Sequence, residues 1–506
     1  MKLQRPSSSF YHWLLFFFSC ITIVLPGYSQ NEAIPPAIPE YTSVNRTAAE
    51  WEPALGTLIV WPLAIPYKLA IELAKDNHLF TLVNDETGKK EAAHWYKTWG
   101  IDSSGNTFLV IPQGVDASWT RDWGPAAVFP RKGKMMLADP KYTYATPVSS
   151  QKCSDSLFFI YGMENGRPVK TQTEDDATVH LGKSLGLPVF DLPFISTGGN
   201  VLTDGAGTSF SSCILLNENQ FFGVNEESFR TMNREKLGFR NYNILPNFER
   251  RGIQHVDCFM KLLDEERILV AEPPNDHNLF PLYDSIVRFH LMTLTNSFGR
   301  PYEILRIKTN RYREQRLAAY TNSLILNKTI YVPLFRIKED SLALETFRHF
   351  MPGYTVKGFN FDLKDEPYVS KQLADQYQDY GWNSGDALHC RTRAIWDPEM
   401  LLIQVKRLPS RMKPSEKKFV VARITDYSRK GLKADKTLLK WRVDGKGKWQ
   451  SIRMTTSKSH NDYFAEIPSL PAGSEVEYFV EASSISGKRE TMPVTAPAGR
   501  YKVLIR

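Results

Sequence analysis

Short apolar runs alternate with amphipathic stretches from about Val44 to Gln404, and this alternation sets the first expectations. Thr57–Trp61 (TLIVW) has the unbroken apolar character of a buried strand, and Thr107–Ile111 (TFLVI) repeats it. Between such runs, Tyr67–Lys75 (YKLAIELAK) and Asp176–Leu185 read as helices. Leu324–Pro333 and Met400–Leu408 add further β-rich runs, and strands interleaved with helices predict an α/β region. No repeat is visible in the sequence itself. Beyond about Lys413 the helical period disappears. Lys418–Thr425, Thr437–Val443, Gln450–Met454, Tyr463–Ile467, Glu475–Ala482 and Tyr501–Ile505 are short strand-like runs, separated by turns such as Asp444-Gly445 and Ser486-Gly487. That pattern predicts an immunoglobulin-like β-sandwich. A boundary at Arg411–Glu416 divides the chain into an α/β domain, 44–410, and a sandwich domain, 411–506.

The first residues follow another rule. Lys2 and Arg5 precede an apolar run, Trp13–Pro26, and Gly27-Tyr28-Ser29 supplies small residues at both ends of a cleavage triplet. Residues 1–29 are therefore read as a signal peptide and 30–43 as a Pro-rich leader, so the expected location is exported, periplasmic or secreted. The apolar run is too short for a membrane span, and no later run is long enough. Cleavage would leave Cys153, Cys213, Cys258 and Cys390, too few for a disulfide framework, with at most one pair among the first three.

Composition narrows the class without choosing a function. The 506 residues are 42% hydrophobic and 23% charged, which excludes a disordered tail or a disulfide-dense miniprotein and allows two or more cores. Net charge is +8. Between Arg411 and Gln450 stand thirteen Lys or Arg against four Asp or Glu, with few aromatics for company, among them Tyr427, Trp441 and Trp449. That is a poor nucleic-acid platform, and it is read as a solvated β surface that could rest against a surface or another protein.

Four segments combine titratable residues with turn residues. In Trp119–Pro125 (WTRDWGP), Asp122 offers charge and Trp119 a flat face to a planar cation, although Arg121 and Asp122 equally suit a structural ion pair. In His255-Val256-Asp257, a strand would place imidazole and carboxylate on one face, while a satisfied surface pair remains the plainer alternative. Gly385–Thr392 (GDALHCRT) sets Cys390 among turn residues with Arg391 and Arg393 near, a setting that could favour a thiolate; a buried inert cysteine is the alternative. Tyr320–Ser323 (YTNS) is the least specific. Together, a cysteine, a histidine and two carboxylates suit covalent attack on a cationic planar carbon, as in a guanidinium.

At WTRDWGP (119–125), STGGN (196–200), QHVD (254–257), YTNSLILN (320–327) and ALHCRT (387–392) the chain resembles the guanidine-group-modifying hydrolases, specifically the bacterial Porphyromonas-type peptidylarginine deiminase and agmatine deiminase family. The resemblance implies a five-bladed α/β propeller (pentein) of ββαβ modules. It implies that Cys390 attacks the guanidinium carbon to give an amidino-thioether, that His255 acts as acid and base, and that Asp257 and Asp122 hold the guanidinium. Asn322 would orient the site and Trp119 would flank the substrate's stem, with Arg121 beside it. No cofactor or metal is implied. The substrate would be an arginine-containing peptide or protein, giving citrulline and ammonia.

Two positions depart from the family pattern. Asp139–Ala145 has one Lys and no Arg where secreted relatives carry an Arg pair for a terminal carboxylate, and Thr197 stands where agmatine deiminases carry a glutamate. Agmatine or another small guanidine is thus an alternative substrate. An amidinotransferase or other cysteine hydrolase, and a catalytically silent exported binding protein, are the competing classes.

Overall fold

Ala54–Val60 shows how the α/β region is laid down. Its last five residues, from Gly56 onward, are buried, and a strand pairs along each of its edges. Gly56 is required there: a Cβ would fall 1.9 Å from the His78 carbonyl oxygen, so the two strands meet only over a hydrogen. The computed structural model describes residues 45–506 except 112–117, 143–162, 165–166, 169–175, 222, 250–253, 315, 377–380, 383–385 and 457–460. The signal peptide, the leader and Cys153 lie outside the described residues. Everything described belongs to one compact unit, Ala37–Arg506.

The region is a mixed α/β fold in which five open sheets, among the described residues, repeat one arrangement. In each, two antiparallel strands are followed by a parallel one. Thr208–Ser212 pairs antiparallel with Leu202–Thr203 and parallel with Asn241–Leu245. Arg267–Glu272 stands likewise between Met260–Leu262 and Glu303–Lys308, and Thr329–Pro333 between Leu324–Leu326 and Thr355–Phe359. Met136–Lys141 joins Ala126–Pro130 to Val189–Ile195. The last sheet takes its antiparallel strand from far away: Arg393–Trp396 pairs with Ala54–Val60, which runs parallel to His78–Val83. Parallel pairing demands a crossover, and helices such as Phe280–Phe289 and Glu339–Phe350 supply it. The repeat is one of hydrogen bonding, not of sequence.

Helices fall where the pattern put them. Tyr67–Asp76 buries Leu69, Ala70 and Leu73, one face at helical spacing. Ala177–Leu185 ends on Gly186 at φ 64°, the left-handed conformation that stops a helix cheaply. Leu324–Pro333 is a hairpin rather than one strand, turned at Asn327 (φ 52°).

The C-terminal region is two sheets, Leu401–Lys406 with Lys418–Asp426, Asp462–Ile467 and Thr455–Thr456, and a second built on Leu438–Val443, Glu475–Ser483 and Tyr501–Ile505. Their inner residues, among them Ile403, Val420, Ile467, Leu439, Tyr478 and Val503, form one core. Leu401–Lys406, read as part of the α/β region, hydrogen-bonds along its whole length to Lys418–Asp426, because its apolar residues face this core. The 410/411 boundary therefore falls in a connection between paired strands.

Candidate active site

The loop carrying Cys390 is held from both ends. Arg391 donates to Asp386, to the Ala64 carbonyl and to the Gly381 carbonyl, and its guanidinium lies over Trp382 and Phe361. Two residues later the chain enters the strand Arg393–Trp396. Asn322, fully buried, supplies the centre: its Oδ1 accepts from the backbone N–H of Ala387 (3.1 Å), His389 (2.9 Å) and Cys390 (3.3 Å). Its Nδ2 donates to Cys390 Sγ at 3.1 Å. One amide thus sets both the turn and the sulfur.

Asp122, His255 and Asp257 arrive from two other segments. Thr120–Trp123 is a single helical turn, and Asp122 projects from it to accept from Gly199 N–H at 3.0 Å. Gly199 marks the meeting point: a Cβ there would stand 2.5 Å from Asp122 Oδ1, 3.0 Å from His255 Nδ1 and 3.2 Å from Asp257 Oδ2. Asn200 braces the neighbouring backbone, accepting from Val256 N–H (3.0 Å) and Ser212 N–H (2.9 Å). His255 Nδ1 lies 3.5 Å from Asp122 Oδ1, and Cys390 Sγ lies 3.6 Å from Asp257 Oδ2. The segment Val256–Cys258 is one helical turn, not the strand expected, and Gln254 before it adopts φ 59°. Histidine and carboxylate still share a site because the turn, not strand alternation, aims them.

The electrostatics favour an incoming cation. Burial pushes Asp122 up to about 6, opposed by His255 and reinforced by Asp257. Burial pushes Asp257 up most, but His389, His255 and Arg121 together outweigh it and hold that carboxyl below its usual range. A hydrogen bond from Cys258 lowers the Cys390 thiol, yet burial and the carboxylates of Asp257, Asp122 and Asp386 prevail and push it up to about 11. The electropositive setting expected from Arg391 and Arg393 is therefore not what the sulfur meets. Both guanidiniums are spent elsewhere, Arg391 on Asp386 and Arg393 on the Pro125 carbonyl.

Behind the loop lies a row that sequence reasoning missed. His389 presents Nδ1 to Asp257 and Nε2 to Glu50, each at 2.7 Å, and Glu50 pairs with the buried Lys261 at 2.9 Å. Lys261 also donates to the Ser323 carbonyl. A cavity of about 60 Å³ lies here, lined by Glu50, Arg121, His389 and Arg393; Cys390 and Asp122 do not line it. The only signal was the place of His389 beside Cys390; Glu50 and Lys261 are remote in sequence.

The other expected residues divide. Trp119 caps the helical turn and donates to Asp386 at 3.0 Å, on the same side as Cys390's loop. Arg121 turns to the loop, its backbone N–H donating to the Cys390 carbonyl (3.0 Å) and its Nε to the His389 carbonyl (3.3 Å). Among described residues, Asp257, Cys258 and Cys390 are the group that could hold a metal ion. Cys258 is in no disulfide, whereas Cys213 is disulfide-bonded.

The family model for Porphyromonas-type peptidyl-arginine deiminase matches residues 46–363, more than half of the sequence. The chain belongs to that family. Its members are guanidine-group deiminases, so this deiminase-family chain meets the resemblance read from its motifs. The match ends before Cys390, whose place beside Asp122 and Asp257 comes from the structure. A Yersinia pseudotuberculosis protein named "Putative agmatine deiminase" is 24% identical over 353 residues, covering 61% of this chain and 88% of the relative. A Mycoplasma capricolum protein of the same name is 25% identical over 278 residues, 49% of this chain and 71% of the relative. The fold matches the agmatine deiminase of Enterococcus faecalis with TM-score 0.51 at 16% identity, over 72% of this chain and 99% of that one.

Proposed function

We propose that this chain is an exported deiminase that converts an arginine residue of a peptide to citrulline, through a covalent amidino-thioether on Cys390. The observation that carries this reading is the convergence of Asp122, His255 and Asp257 on Gly199, with the Cys390 sulfur 3.6 Å from Asp257. A guanidinium entering between the two carboxylates would neutralise the charge that holds the thiol protonated, so the substrate itself favours the thiolate. Sulfur then bonds to the guanidinium carbon, and His255 gives a proton to the departing nitrogen, which leaves as ammonia. Water next adds to the amidino carbon with His255 taking its proton, the C–S bond breaks, and a ureido group leaves with the thiol restored. Asn322, His389 and Arg121 act here as positioning residues, and Trp119 packs against the substrate stem.

The five like sheets support a five-bladed propeller with this site at its centre, and the two C-terminal sheets around one core support an immunoglobulin-like sandwich. Export follows from the sequence of residues 1–29 alone, with 30–43 as leader. No helix among the described residues is long and apolar enough to cross a membrane.

The names of the relatives favour a second substrate, agmatine or another small guanidine, as strongly. Lys141, the one cation in the stretch where secreted relatives carry an Arg pair, is paired with Asp191. Thr143–Ala145 lie outside the described residues. The test is ureido formation by the mature chain on three substrates: a peptide with internal arginine, one with C-terminal arginine, and agmatine. Product from a peptide with silence on agmatine supports the first reading, and the reverse supports the second. Silence on all three, with reduced Cys390 and intact fold, overturns deimination of these substrates.

A further inference from the structure

Beside Cys390 stands a thiol that the reaction above does not use. Cys258 is a half-buried thiol outside any disulfide, and its Sγ lies 3.6 Å from Asp257 Oδ1, while Cys390 Sγ lies 3.6 Å from Asp257 Oδ2. The donor atoms of the three residues all fall within 4.8 Å of one another. Asn322 Nδ2 reaches both sulfurs, at 3.1 Å and 3.6 Å, and so keeps them on one side of its amide. Adjacent ligands of a tetrahedral zinc, bonded at about 2.0 Å to oxygen and 2.3 Å to sulfur, stand roughly 3.5 Å apart. Each sulfur stands at that separation from one oxygen of Asp257, Cys258 from Oδ1 and Cys390 from Oδ2, so a small shift of either group completes the set.

We propose that Cys258, Cys390 and Asp257 form a site for a thiophilic divalent cation such as zinc, which captures Cys390 and silences the enzyme reversibly. Two sulfurs and one oxygen select a soft ion over magnesium or calcium, whose ligands are oxygens. His389 braces the carboxylate from behind: its Nδ1 is 2.7 Å from Asp257 Oδ2, leaving Oδ1 turned toward Cys258. An imidazole that orients a ligating group in this way tightens metal sites. On binding, both thiol protons pass to the solvent, two metal–sulfur bonds and one metal–oxygen bond form, and a fourth position stays open. Asp257 serves both cations, so zinc and a guanidinium substrate exclude one another. The inference does not depend on which guanidine is turned over.

Zinc chloride is titrated into the reduced chain, with cobalt(II) as the spectroscopic substitute. The expected result is one ion per chain, with inhibition relieved by substrate, and sulfur-to-cobalt charge-transfer absorption of two thiolates. In Cys258→Ser that absorption should halve, and zinc affinity should fall roughly tenfold or more. Inhibition is read against each variant's own metal-free rate. A safeguard uses the unaltered chain: bound zinc should protect both Cys258 and Cys390 from alkylation, located by peptide mass. Equal zinc affinity and equal cobalt absorption in Cys258→Ser, or protection of Cys390 alone, would overturn the proposal.

Discussion

In the C-terminal sheets Arg423 is 6% exposed and meets both oxygens of Asp462, at 2.8 and 3.1 Å. Lys418, still deeper, gives its ammonium to three backbone carbonyls, and Glu477 is surrounded by Arg442, Arg500 and Lys502. At Glu218, whose charge meets that of Asp122, the treatment is opposite. Glu218 is 9% exposed, its Oε2 has no hydrogen-bond partner, and the charge it feels most is another carboxylate, Asp122. Among the described residues, both side-chain polar atoms of Asn217 and the hydroxyls of Ser209 and Ser212 are likewise unpartnered. Leaving such groups unpaired costs on the order of 1–3 kcal/mol each, so a fold tolerates them where a ligand repays the cost. Charge balance within the chain marks scaffold, and imbalance marks the place kept for something else.

The comparison can be broken most sharply at the sulfur. Cys390→Ser should lower turnover roughly 10³-fold or more while thermal unfolding stays close to that of the parent. Retained activity would remove Cys390 from the nucleophile's place. Asp122→Asn should lose about 2–5 kcal/mol of substrate binding, seen mainly in KM. Because Asp122 ionises only near pH 6, substrate affinity of the unaltered chain should rise as pH climbs through about 6, and Asp122→Asn should lack that step. On the scaffold side, Arg423→Ala strands a buried carboxylate and should cost about 3–5 kcal/mol of stability, measured by denaturant unfolding, with KM unmoved in the folded fraction. A KM that shifts with it would mean the two regions are coupled.

The smallest effect tests the imbalance itself. Burial, then Asp122, pushes Glu218 up to about 8 from 4.5. Folding therefore retains a proton that the unfolded chain releases, and Glu218's contribution is lost as pH rises from about 4.5 through about 8. Glu218→Gln should remove about 1–3 kcal/mol of that decline. An identical pH–stability curve for the two chains would show that Glu218 is not kept unpaired.

Much of the site was legible because its residues sit in short motifs with their own turn chemistry: Asp122 before Gly124-Pro125, Asn322 opening a hairpin, Cys390 after a turn. The C-terminal strands were legible because turn signals separate them. What was hidden depends on tertiary partners. Glu50 and His389 are 339 residues apart, and neither is unusual until burial makes each the other's partner. The fivefold likeness of the sheets was hidden because main-chain hydrogen bonding carries it, and each sheet meets its neighbours with different side chains. Leu401–Lys406 could not be assigned, since an apolar run does not say which of two cores it faces.

The pairing of Arg393–Trp396 with Ala54–Val60 has a consequence for the order in which the protein is made. The last strand of the α/β region completes a sheet begun more than three hundred residues earlier, and Cys390 precedes that strand by three residues. During synthesis the carboxylates, the histidine and Asn322 are all available before the sulfur is. Cys390 is delivered by the same closing step that seats the final strand, so a partly built chain holds the carboxylates without the sulfur beside them. Topology thus sets the order in which the candidate site is put together, with the sulfur last.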